Sequence, residues 1–204
     1  MKVTLIQQTS KPIETISTIA SICYDSNPSN PIALVKHLYN SGHHSVFEHI
    51  YFTFKIEGIS RACSHQLVRH RMCSFTQRSQ RYCSESEYDY VNPIENSDDI
   101  RHSIFYDMIC DNSDDYAELH RLGLKNEDAR YILPNACCTD LYLSFNLREL
   151  IHIANERLCN RAQWEIRNLV KEMCSLVDED LKFMLVPKCK SGYLICNNKC
   201  GKEK

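Results

Sequence analysis

Ile50-Tyr51-Phe52-Thr53-Phe54-Lys55-Ile56-Glu57 alternates apolar and polar side chains across residues 50–57. Successive side chains of a strand point to opposite faces, so Phe52, Phe54 and Ile56 form one side and Tyr51, Thr53, Lys55 and Glu57 the other. Such a strand is half buried. Residues 137–146 repeat the pattern with Leu141, Leu143 and Phe145 on one face, and residues 2–8 read as a further strand. Helical spacing fills the rest. Pro12 suits a first turn before Ile13, Ile16, Ile19, Ala20 and Cys23, and Asn30-Pro31 opens a helix with Leu34, Val35 and Leu38 inward, ending near Ser41-Gly42. Ser60 is placed to cap a helix through Ala62, Gln66 and Leu67 toward Arg71, followed by a polar, irregular stretch to about Tyr90. Ile100, Ile104, Met108, Tyr116 and Leu119 mark the apolar side of helices before Gly123, and residues 126–132 form a short helix stopped at Leu133-Pro134. Helices over 147–158 and 162–185 follow. The expectation is an α+β fold, a single domain over 1–186 with a central, mostly antiparallel sheet flanked by helices, and a polar Cys-bearing tail over 187–204.

The 204 residues suffice to bury a core, and a formal net charge of -2 excludes the global basic excess of many nucleic-acid-binding domains. Charge is unevenly placed, however. No carboxylate lies between Glu57 and Glu85, where Arg61, Arg69, Arg71, Arg78 and Arg81 fall together with His65 and His70. A window this basic repels itself unless an anion joins it, the alternative being a solvated charged face. Gly42, Gly58, Gly123, Gly192 and Gly201 are isolated, so no glycine-rich phosphate loop can be drawn. Side chains must then hold any phosphate, and the arginines are the candidates. The opening run Met1–Ile6 is too short for a signal peptide or membrane span, which points to the cytoplasm and to no membrane partner. Of the twelve cysteines, Cys23, Cys63, Cys110, Cys159 and Cys174 read as small core or half-buried residues. Cys137 and Cys138 face opposite sides of their strand. Trp164, beside Ile166, Leu169 and Val170, is expected in the core.

Arg69-His70-Arg71, at the end of a helix leading into a loop, is placed to converge on phosphate, and each arginine fork can donate to two oxygens at once. Ser74 and Ser79 add hydroxyls. A module binding nucleic-acid backbone with the 61–81 cluster is the competing reading, against which stand the neutral balance and the lack of an aromatic ladder. The whole run, Arg69-His70-Arg71-Met72-Cys73-Ser74-Phe75-Thr76-Gln77-Arg78-Ser79-Gln80-Arg81, resembles the signature of flavin-dependent thymidylate synthases, R-H-R-x-x-S-x-N-x-x-S-x-R, with Thr76 in the usual Asn place. Gly42-His43-His44-Ser45-Val46-Phe47-Glu48-His49 is similar to the family's G-H-x-[ST]-x-F-E-H box; a zinc-protease reading fails because His44 lies one residue too far from Glu48. Asp128-Ala129-Arg130, Asn146-Leu147-Arg148-Glu149-Leu150 and Asn155-Glu156-Arg157 resemble later family segments, in family order.

The resemblance implies reductive methylation of dUMP to dTMP, with methylenetetrahydrofolate as carbon donor, FAD reduced by NADPH or NADH as hydride carrier, and no covalent enzyme nucleophile. A classical Cys-dependent synthase is disfavoured, since no cysteine here has a matching context. By the same match Arg157 activates the uracil ring, and His43 lies near the flavin or folate. Gln66, Arg69, Gln77, Arg78, Ser79, Gln80, Arg81, Arg130 and Arg157 hold dUMP. Ser45, Arg69, His70, Arg71, Gln77, Asn146, Arg148, His152 and Arg161 hold FAD. His152 and Arg161 stand where some relatives have Asn and His; for Arg148 and Arg161 ordinary surface pairing with Glu149 or Glu165 is the bland alternative. Ser79 shows no His or Asp partner and is assigned to phosphate. The family is a homotetramer with active sites between subunits, which suits a chain too small to enclose three ligands. No metal is expected: Cys189, Cys196 and Cys200 would need a fourth ligand, and no C-x-x-C pair is present.

Overall fold

The computed structural model of the chain describes residues 1–94, 98–197 and 200. Four strands, β1 (Lys2–Gln8), β2 (Tyr51–Ser60), β3 (Ser74–Gln77) and β4 (Cys138–Asn146), form one antiparallel sheet in the order β1-β2-β4-β3. Register between the two inner strands is fixed at both ends: Leu147 N–H donates to Ile50 O at 2.7 Å and Arg61 N–H to Cys137 O at 2.9 Å. The alternation read in sequence holds, since Phe52, Phe54, Ile56, Leu141, Leu143 and Phe145 are all buried. It slips by one residue at Gly58, after which Ile59 and Ser60 are buried. Gly58 adopts φ 69°, a left-handed conformation that glycine takes without a Cβ penalty, and this marks a bulge. Buried Ser60 then caps the next helix, its Oγ accepting from Cys63 N–H at 3.0 Å.

The helices are α1 (Pro12–Ser21), α2 (Pro31–Asn40), α3 (Arg61–Leu67), α4 (Ile100–Arg121), α5 (Asn126–Ala129), α6 (Leu147–Arg157) and α7 (Trp164–Leu176). No helix among the described residues is long and apolar enough to cross a membrane. The chain gathers into two compact units. One comprises 1–2, 56–66 and 76–141 and includes α4 and α5; the other comprises 3–55, 67–75 and 142–204 and includes α1, α2, α6 and α7.

Several expectations are corrected. The irregular stretch before Tyr90 contains β3. The helix from 162 ends at Leu176, because Asp178 turns its side chain to Asp180 N–H and starts a separate short turn. In α4 the buried residues are Ile109 and Tyr116, whereas Ile100, Ile104 and Met108 are exposed. Trp164 is the first residue of α7 and 39 % exposed, so it is not a core residue. Cys23, just past the end of α1, is exposed, because the helical face stops at Ala20.

Candidate active site

After α3 the chain turns through a hydrogen bond from His70 N–H to Leu67 O. The turn buries His70 and leaves Arg69 and Arg71 exposed. Both nitrogens of the buried imidazole face protein groups. Its Nε2 accepts from Arg157 Nε–H at 3.0 Å, and its Nδ1 lies 3.7 Å from Glu149 Oε1. A guanidinium can only donate, so Nε2 carries the lone pair and Nδ1 the proton, directed toward Glu149. His152 meets the ring edge-on, with centroids 5.6 Å apart. Glu149, His152 and Arg157 come from one helix. Asn146 caps it by accepting from Glu149 N–H at 3.0 Å, and the carboxylate in its first turn and guanidinium in its last both suit the helix dipole.

Glu149 entered the sequence reading only as a surface partner in the bland alternative for Arg148. It is buried, and the fact that it lies one turn before His152 on α6 is the signal that could have found it. Arg148 pairs instead with Glu48, tying α6 to the segment that carries exposed His43 and Ser45. Donor atoms of His70, Glu149 and His152 all lie within 4.8 Å of one another, a spacing a cation could use. Arg157 on His70 Nε2 already sets a positive charge there, which opposes a second one. Burial first, and the charge of Glu149 second, push the Cys73 thiol up to about 12, so it stays protonated beside this array. Arg157 and exposed Arg161 also line a cavity of about 420 Å³ with Asn155 and Lys188.

The other unit carries most of the expected nucleotide contacts. Gln77 Nε2 donates to Ser64 Oγ at 3.1 Å and Thr139 Oγ1 at 3.2 Å. Arg78 Nε donates to buried Glu85 Oε1 at 3.1 Å, and Gln80 Nε2 reaches Cys137 Sγ at 3.7 Å. Arg81 Nε donates to Glu127 Oε2 at 2.7 Å while its backbone N–H reaches Ser79 Oγ at 3.3 Å. Arg130 Nε donates to Glu127 O at 3.1 Å. The acid-free window therefore borrows its counterions, Glu85 from its edge and Glu127 from α5. Glu127 thus accepts from Arg81 through its carboxylate and from Arg130 through its backbone carbonyl. Gln66 is half-buried on α3. Among the described residues Arg69 and Arg71 make no ion pair.

Residues 4–181 match the family described as thymidylate synthase complementing protein. A flavin-dependent thymidylate synthase of Geobacter sulfurreducens is 41% identical over 190 residues, spanning 87% of this chain and 82% of that protein. That of Pyrococcus furiosus is 41% identical over 188 residues, spanning 85% and 77%. Among solved structures, thymidylate synthase X from Helicobacter pylori with FAD and dUMP superposes with a TM-score of 0.79 at 23% identity, covering 91% of this chain and 97% of that one. With this match across most of its length, the chain belongs to the family of flavin-dependent thymidylate synthases.

Proposed function

We propose that the chain converts dUMP to dTMP with methylenetetrahydrofolate as carbon donor and FAD, reduced by NADPH or NADH, as hydride carrier. The observation that carries this reading is the Arg157–His70–Glu149 array: a guanidinium donating to one nitrogen of a buried imidazole whose other nitrogen lies 3.7 Å from a buried carboxylate. An arginine so held can stabilise negative charge developing on a uracil ring and cannot itself lose its proton. Arg157 is the activating residue, and Cys73, kept as a thiol, is not a nucleophile.

Arg69 and Arg71 flank His70, are exposed and make no ion pair among the described residues, so they, with Ser45, His70, Gln77, Asn146, Arg148, His152 and Arg161, are assigned to FAD. His70 also orients Arg157. Bound FAD would supply hydride transfer. Gln66, Gln77, Arg78, Ser79, Gln80, Arg81 and Arg130, with Arg69 and Arg157, are assigned to dUMP; the common neighbour Glu127 of Arg81 and Arg130 supports grouping these two, and a bound phosphate would take the place of its carboxylate on Arg81. His43, exposed two residues before Ser45, is assigned to the flavin or folate. We place the active enzyme as a homotetramer with sites built from several copies, and its thiol-rich sequence suits the reducing cytoplasm.

The test is an absorption spectrum of the purified protein, before and after FAD addition, followed by NADPH oxidation with and without dUMP. A flavin spectrum and dUMP-dependent dTMP formation are expected. Failure to bind flavin under any condition would overturn the assignment.

A further inference from the structure

Four cysteines to which the thymidylate assignment gives no role meet at one place, in the wall of the cavity that Arg157 also lines. Cys159, Cys189, Cys196 and Cys200 all line the cavity of about 420 Å³ beside Arg161 and Lys188. Three of them, Cys159, Cys189 and Cys200, also line a second cavity of about 250 Å³, so they stand in the wall the two cavities share. The fourth ligand missing from the tail's three thiols is thus supplied by the chain between α6 and α7. Cys196 and Cys200 are separated by three residues, within the spacing common for paired ligands of structural zinc.

The tail is brought to this place by its own packing. Tyr193 crosses Tyr39 and His44 edge-on at 4.9 and 4.5 Å, and its hydroxyl accepts from Asn155 Nδ2 at 3.1 Å. Ser191 is buried. Asn160 Nδ2 approaches Cys200 Sγ at 3.9 Å, a weak N–H···S contact of the kind that steadies thiolate ligands.

We propose that Cys159, Cys189, Cys196 and Cys200 bind a structural zinc ion that clamps the tail to the end of α6. The ring of sulfurs is wider than a finished site, for these thiols are not among the groups already within 4.8 Å of one another. Binding draws them in to Zn–S distances of about 2.3 Å and releases a proton from each thiol to water. Four soft thiolates select zinc over the hard cations, and Lys188, which lines the same cavity, offsets part of the net negative charge of the filled site.

Metal content reads the site without turnover, so its failure and that of the reaction assignment are separable. Protein purified anaerobically from zinc-supplemented cells, then desalted, is expected to carry about one zinc per chain by elemental analysis. Cys159→Ser and Cys196→Ser should each abolish stoichiometric zinc, while Cys23→Ser, on an exposed thiol elsewhere, should keep it. Should a cysteine variant fail to fold, titration of the native protein with a thiol-specific mercurial must release the zinc in step with thiol modification. Absence of stoichiometric zinc, retention in both variants, loss only on His70→Ala, or no release by the mercurial would each overturn the site.

Discussion

In the proposed reaction Arg157 must be both charged and aimed, and its hydrogen bond to His70 is a contact that helps aim it. Removing the charge should leave flavin bound while the chemistry stops. Arg157→Ala is expected to retain its flavin spectrum and to lower kcat by at least about a hundredfold, the scale of losing one preorganised charge donor; near-normal turnover would show that another residue activates the ring. Arg71→Ala should instead weaken FAD itself, measured by flavin release on dilution. The buried thiols give a second prediction at this scale. Cys73, Cys137 and Cys174 are each raised to about 12, in every case chiefly by burial. A raised thiol binds its proton more tightly folded than unfolded, so its share of stability is complete below about pH 9 and fades as pH climbs toward 12. Alkylation followed by mass spectrometry at pH 8 should label exposed Cys23 rapidly and spare Cys73, Cys137 and Cys174. The signature arginines could be recognised from sequence because their order along the chain is the signal. The inward turn of His70 could not, since it depends on Glu149 and Arg157, which lie far along the chain and reach it only through α6.

Within the strands and helices, legibility followed the strength of the period. β2 up to Glu57 and β4 throughout are long, alternating and rich in Phe and Leu, so their burial could be read directly. Their aromatic contacts, Phe54 to Phe145 at 5.8 Å and Phe52 to Phe145 at 6.2 Å, carry a matching cost. Phe54→Ala should destabilise the fold by about 3–5 kcal/mol, read as a lower urea midpoint with an unchanged slope. A loss below about 1 kcal/mol would mean the ring is not held in the core. β3 escaped detection because four residues, Ser74–Gln77, leave too little alternation to register. The overlong reading of α7 has the opposite cause: Leu181 and Met184 are fully buried and prolong the apolar period beyond Val177, although the backbone has already left the helix. In α4 the apolar residues keep helical spacing, but that spacing does not say which apolar residues the chain's own core covers. Ile109 and Tyr116 are covered, and Ile100, Ile104 and Met108 are not.

For the molecule as a whole, size argues for assembly. The cavities beside Arg78 and beside Arg157 measure about 470 and 420 Å³. Each is the scale of one drug-sized ligand, whereas the reaction requires a dinucleotide, a nucleotide and a folate together. The exposed row Ile100, Ile104 and Met108, at 70, 52 and 66 % exposure, adds an apolar helix face that a second copy could cover. Sedimentation velocity should therefore show a tetramer, with Ile104→Lys shifting it toward smaller species, because a lysine ammonium on that face resists burial between copies. If sites are shared among copies, the dissociated variant should also lose FAD affinity and dTMP formation even though Ile104 belongs to neither ligand set. A variant that dissociates yet keeps both would show that each chain completes its own site; one that stays tetrameric would remove this face of α4 from the interface and leave the other helices to supply it.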